Sequence, residues 1–377
     1  MDHQGRLRRI QDSMKEDGLD ALVVTRSGGV AYVAGVLAPW RTAVVVTADR
    51  VELITVRNDA ARLLDLTWID TCRIWDLGDP DAFAKVVEAT LRDHDAGSGR
   101  IGVDLLSAEQ PGALSASEYL TLTGSMPDAE WVSGVGALDR VMLVKEPAET
   151  ELLRRAAEVA DLGVEAAFDA IEPGRTELEI AGVAEAAMRS AGNEFVWSVT
   201  GTEVGSGYRQ RYEHGFTVAP SQKRIQRGDI VTVDVHPMIG CYLGDLAVNA
   251  VVGEPTEAQL ELERAWVGIA ETILGMLKPG AAIADVAIAA YTTAQESGYA
   301  EYTLPFFGHG LGTDARIPPA VHAGNPDHFE EGMIFEIFLQ TTVPQVGGLR
   351  LESATRITST GYELLNKCPI ELRVLDT

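Results

Sequence analysis

The sequence predicts an α/β N-terminal domain followed by an α+β C-terminal domain. Three observations carry this. At 377 residues the chain exceeds one ordinary core. Up to residue 140, short strand-like runs alternate with helical ones; after it, two long helix pairs each lead into strands. Between them the run RVMLVKEPAETE holds a Lys145-Glu-Pro turn signal and a helix start, so the expected division is 1–140 and 141–377.

Composition bounds the function. The 46% hydrophobic and 6% aromatic content is that of an ordinary globular protein. Apolar runs are too short for a membrane-spanning helix. The start, MDHQGRLRRIQDSMKEDG, lacks the apolar core of a secretory signal. Cys72, Cys241 and Cys368 are odd in number and far apart, which argues against a disulfide framework or thiolate zinc site and fits a reducing cytoplasm. A net charge of −25 excludes nucleic acid and anionic membrane as partners.

In chain order, Leu7, Ile10 and Met14 share a helical face that ends near Gly18. Strands are expected at 21–25, 42–48, 51–56 and 101–105, and a helix over Asp81–Asp93. The run SGGVAYVAG (27–35) lacks a nucleotide-loop spacing and reads as a loop-helix connector. A long helix over 148–172 breaks at Pro173-Gly174, and Thr176 with Glu179 forms a capping-box pattern. Helix 256–277 and its Pro-Gly turn repeat the arrangement, which suggests two related halves.

Chemistry concentrates in strands. In GDIVTVDVHPMIGCYLGD (228–245), alternation turns Val231, Val233 and Val235 one way and Thr232, Asp234 and His236 the other. A break at Pro-Met-Ile-Gly precedes a return strand from Tyr242, so Asp245 lies across a hairpin from Asp234. A buried carboxylate needs a cation, hydrogen bonds or solvent. His309 projects between Gly308 and Gly310. Glu336 and Glu352 interrupt apolar strand runs. Two aspartates, a histidine and a late glutamate form an O/N ligand set suited to manganese, iron, cobalt or zinc.

The ordered runs RLRRIQDSMKEDGLDALVVT, RVMLVKEPAETELLRRAAEVAD, IEPGRTELEIA, GDIVTVDV, FFGHGLG, EEGMIF and GLRLESATRITSTGYELL resemble the creatinase, prolidase and aminopeptidase P group of the pita-bread superfamily. The resemblance spans nearly the whole chain. It implies a creatinase-type N-terminal domain, a pita-bread (creatinase/aminopeptidase) C-terminal domain, a homodimer, and a site of two aspartates, one histidine and two glutamates for two divalent ions. Asp234, Asp245, His309 and Glu352 fall on four of these positions. Phe338 falls on the fifth, where a phenyl ring cannot bind a hard cation, which weakens one of the two metal positions, so one or two divalent ions are expected, one if that position is lost. Arg316 stands where the group has a second histidine, and His214 is nearest to its substrate-facing histidine, with Arg209 and Arg211 close by.

These departures define the expectations. The leading one is metal-assisted hydrolysis of a C–N bond in a small substrate or short peptide, Xaa-Pro peptidase-like. Asp234, Asp245, His309 and Glu352 would hold the ion, His214 and Arg316 would face the substrate, and Glu336 would act as base or partial ligand. The alternatives are creatinase-like, metal-independent hydrolysis of an amidine or amide, a specialised lyase, and a non-catalytic binding protein.

Overall fold

The computed structural model describes residues 1–105, 112–194, 201–209 and 219–377. Its contacts divide into two units, Met1–Leu143 with Thr313–Arg316, and Val144–Gly312 with Ile317–Thr377. No helix among the described residues is long and apolar enough to cross a membrane.

In the first unit, α1 (His3–Glu16) starts where the Asp2 carboxylate accepts from the Gly5 N–H at 2.8 Å, and it buries Leu7, Ile10 and Met14. Six strands follow: β1 (Ala21–Val24), β2 (Ala43–Thr47), β3 (Val51–Val56), β4 (Cys72–Trp75), β5 (Arg100–Val103) and β6 (Glu130–Ser133). They form one mixed sheet in the order β4-β3-β2-β1-β5-β6. β2 runs antiparallel to both neighbours; the other pairs are parallel. Parallel pairs need crossovers, which α3 (Arg57–Leu66), α4 (Ala82–Asp93) and α5 (Ala116–Ser125) supply. The 27–35 run forms α2 (Ser27–Ala34), and α6 (Val135–Leu143) closes the unit. Phe83, Val87 and Leu91 of α4 pack with Val23, Val45, Ile54 and Ile101 from the sheet.

The second unit opens with α7 (Pro147–Ala170) and α8 (Glu177–Ser190). Proline stands at the first turn of α7, and a Thr176–Glu179 capping box starts α8. Then come β7 (Glu203–Ser206), β8 (Ile230–Val235), β9 (Met238–Ile239), β10 (Tyr242–Leu243) and β11 (Leu246–Val252). The second helix pair is α9 (Glu257–Met276) and α10 (Ile283–Glu296). Thr256 and Gln259 cap α9 reciprocally, but the α10 cap is Ala282 with no side-chain bond, so the repeat is imperfect. The chain ends with β12 (Gly308–Leu311), β13 (Ala315–Ala320), β14 (Ile334–Val343), β15 (Gly347–Ile357), β16 (Tyr362–Leu364) and β17 (Arg373–Leu375).

These strands build one large sheet in the order β13-β12-β14-β15-β11-β8-β7, with β16 on β15 and β17 on β11. Val231, Val233 and Val235 of β8 and Leu246, Val248 and Ala250 of β11 pack against Val159, Val164 and Phe168 of α7 and Ile180 and Met188 of α8. Burying a valine or leucine side chain in this way contributes about 1.5–3 kcal/mol. Because side chains alternate along a strand, that apolar face turns Thr232 and Asp234 to the opposite face of the sheet.

Candidate active site

The site is a row across this polar face. Glu203 on β7 stands opposite Asp234 on β8, and Asp234 opposite Ala247 on β11. Ala247 is paired in turn with Glu352 on β15, and Glu352 with Phe338 on β14. Neighbouring strands lie about 4.8 Å apart, so side chains in such a row meet. The small Ala247 leaves room between the Asp234 and Glu352 carboxylates. One step along β14, Glu336 stands opposite His309 on β12 and Ala354 on β15.

Two residues just outside the strands complete the cluster. His236 follows Asp234 by two residues, and Asp245 immediately precedes β11. The β9–β10 arm between them turns in two residues, with Gly240 at φ 55° and Cys241 at φ 70°. Positive φ at both central positions is the type I′ geometry that suits a tight hairpin. The arm is fixed to α7 at two points. The Tyr242 hydroxyl donates to Glu149 Oε1 at 3.0 Å. A Cβ on Gly244 would lie 2.6 Å from the Ala156 carbonyl oxygen, so only glycine permits the approach that delivers Asp245.

Among the described residues, Asp234, His236, Asp245 and Glu352 bring ligand atoms within 4.8 Å of one another, all of them buried. His236 Nε2 lies 3.2 Å from Asp234 Oδ1 and 3.3 Å from Asp245 Oδ1. Arg350 enters from the other side. Its Nη2 is 2.9 Å from Glu352 Oε1 and 3.2 Å from Asp234 Oδ2, and its Nη1 is 3.3 Å from Glu203 Oε2. Its guanidinium carbon lies 5.6 Å from the centre of the Phe338 ring, within cation–π range. Among the described residues, Glu352 Oε2 and both oxygens of Glu336 have no hydrogen-bond partner.

The electrostatics follow from burial and this mixture of charges. Burial, then the Glu352 carboxylate, raises the Asp234 pKa well above the ordinary range, although His236 and Arg350 oppose this. Burial also works to raise Asp245, but His236, His309 and Arg350 outweigh it and hold it low. Burial lowers the affinity of His236 for a proton, yet Asp234 and Asp245 overcome it and push its pKa well up. Glu336 is raised well above the usual value by burial, then by Asp245, Glu352 and Asp234.

A divalent ion fits this donor set. A Glu352 carboxylate oxygen and the ion-paired aspartate oxygens converge with an imidazole nitrogen, which is an oxygen/nitrogen environment for a first-row divalent metal. The three carboxylates expected as ligands therefore meet. His309 is buried beside them, stacked on Phe306 at 6.4 Å between ring centres, with Nδ1 3.3 Å from the Gly310 carbonyl oxygen. The phenyl ring of Phe338 occupies the row position beside Glu352, packed edge-on against Phe306. His214 and Arg211 lie outside the described residues. Arg209 Nε pairs with Glu177 at 2.8 Å. Arg316 has φ 61° and falls in the first unit.

Sequence reasoning missed His236, Arg350 and Glu203 as site residues. Alternation had placed His236 on the face of Asp234, which was the available signal. Arg350 and Glu203 carried none, because their roles depend on which strands become neighbours.

Residues 151–359 match the metallopeptidase family M24, and residues 6–143 match the creatinase/prolidase N-terminal domain. The chain belongs to metallopeptidase family M24. Within it the chain falls in the creatinase, prolidase and aminopeptidase P group, so it is a hydrolase with the pita-bread fold expected above. It is 26% identical over 367 residues to an Xaa-Pro dipeptidase of Pyrococcus horikoshii, covering 97% of this chain and 98% of that one. It is 31% identical over 230 residues to an Xaa-Pro dipeptidase of Pyrococcus furiosus, covering 61% and 65%. The crystal structure of the prolidase from Pyrococcus horikoshii OT3 superposes with a TM-score of 0.84 at 25% identity, over 98% and 99% of the two chains.

Proposed function

We propose that this M24 hydrolase cleaves a C–N bond in a short peptide or small substrate, with an Xaa-Pro dipeptide as the default. The observation that carries the reading is the buried convergence of Asp234, Asp245 and Glu352, with a Glu352 oxygen that none of the described residues satisfies. The relatives' names supply the substrate class. Asp234, Asp245, Glu352 and His309 are the residues proposed to hold a divalent ion of manganese, iron, cobalt or zinc. Such an ion supplies Lewis-acid polarisation of a carbonyl and activation of water.

The chain's own residues do the rest. Arg350 balances charge on Glu352, Asp234 and Glu203 and so fixes their rotamers. Phe338 keeps water off one side of the cluster. Glu336, buried and with neither oxygen hydrogen-bonded among the described residues, is the proposed proton carrier. His214 and Arg316 are the proposed substrate contacts, Arg316 through a carboxylate. The reading includes a cytoplasmic homodimer.

The test is proline release from a panel of Xaa-Pro dipeptides by the purified protein, before and after chelation and re-addition of each metal. Metal-dependent turnover that vanishes in Asp245→Ala is expected. Silence across the panel with every metal would sink the reading. One observation favours a second reading, metal-independent hydrolysis of a small amidine or amide. Arg350 already stands as a cation among the carboxylates, and the His236 ring lies against two of them. Turnover indifferent to chelation would select it.

A further inference from the structure

We infer that the cluster takes one ion per chain, and that His236, in place of the His309 named above, is its nitrogen donor. This deepens the metal-assisted reading above and rests on it. The His236 ring is aimed by its other nitrogen. Nδ1 lies 3.1 Å from the Gly201 carbonyl oxygen, and a carbonyl can only accept. Nδ1 therefore carries the hydrogen, and in the neutral ring the lone pair sits on Nε2, between Asp234 and Asp245. A histidine that ligates a metal characteristically donates its second N–H in this way.

The spacing fits a single ion. Nε2 is 3.2 Å and 3.3 Å from one oxygen of each aspartate. Ligands about 2.0–2.2 Å from a shared ion stand roughly 3.0–3.5 Å from one another, so these are the separations of neighbouring donors around one centre.

The remaining space is closed to a second ion. Asp234 Oδ2 and Glu352 Oε1 already face the Arg350 guanidinium at 3.2 Å and 2.9 Å. The row position opposite Glu352 is filled by the Phe338 ring, which offers no donor and is only 1% exposed. Asp234 Oδ1, Asp245 Oδ1 and His236 Nε2 are left to converge on one seat, with Glu352 the fourth member of the group. His309 lies outside that group of four.

The experiment loads the chelated full chain with Mn²⁺, Co²⁺ or Zn²⁺ and measures ions per chain by elemental analysis and calorimetry. A parallel Cu²⁺ sample is read by electron spin-echo modulation from the remote imidazole nitrogen. We expect one ion per chain, an imidazole signal that survives in His309→Ala, and its loss in His236→Gly, with Co²⁺ affinity at least about tenfold weaker in that variant. Circular dichroism verifies that the variants are folded. Stoichiometry and the nitrogen signal of the unmutated chain serve as the test if either variant is not. Two ions per chain, no ion, or a nitrogen signal lost only in His309→Ala overturns the inference. Two ions with metal-dependent turnover would leave the functional proposal standing. No ion with chelator-insensitive turnover would overturn both the inference and the metal-assisted reading.

Discussion

Arg350→Met is the most informative single change to the framework of the site. The substitution keeps most of the side-chain stem and removes the guanidinium, which is 3% exposed and pairs with Glu352, Asp234 and Glu203. Breaking a buried ion pair by deleting one partner costs about 3–5 kcal/mol, because the remaining charge has no solvent and no cation. Loss of the cation–π contact with Phe338 adds about 0.5–2 kcal/mol. For a domain of 150–250 residues the first figure alone corresponds to a fall in Tm of roughly 6–20 °C.

The loss has a definite pH sign. Asp234 already has a raised pKa, and removing Arg350 raises it further. A carboxyl whose folded pKa lies above its unfolded value contributes more favourably when protonated, so stability falls as pH rises through the folded value. The difference between variant and parent should therefore grow as pH rises through the folded value of Asp234. Urea denaturation of the chelated proteins, followed by circular dichroism at several pH values, measures it. A difference below about 1 kcal/mol at pH 8, or one that shrinks with rising pH, would refute this account of Arg350.

Two further outcomes are expected. Tyr242→Phe removes the hydroxyl's hydrogen bond to the buried Glu149 carboxylate and should lower stability by about 1–3 kcal/mol in urea, with faster amide exchange across β9 and β10. Gly310→Ala places a Cβ against the main-chain oxygens of Pro318 and Ile317, which cannot swing aside. A Tm decrease and altered NMR shifts around His309 should follow, whereas an unchanged Tm would show that β12 and β13 can separate.

Local features were legible from residue order. The valine alternation of β8 separated core face from site face, and the Thr176–Glu179 box marked a helix start, because these signals act within a few residues. The helix α3 was not legible. It follows β3 without a turn residue, and its cap, Val56, has no side chain to mark the start. In the site, the Asp234–Asp245 hairpin was readable because its two strands are joined by a short turn. The approach of Glu203 and Arg350 was not, since β7 joins β8 only after a long connection and β15 reaches the row only through β11, far away in sequence. His236 lay between these cases. Period-two alternation gave its face, but only the fold brings Gly201 behind its ring.

The row Glu203–Asp234–Ala247–Glu352–Phe338 also bears on how such a protein can diverge. Each position belongs to a different strand, so each is an independent column in a shared frame. A point substitution re-equips one column and leaves the other four in register. A single-residue insertion or deletion within a strand turns that whole strand's face over and removes its column. Innovation at this centre is therefore open to substitution and closed to length change, and the phenyl ring of Phe338 among carboxylates is the kind of single-column exchange such a frame admits.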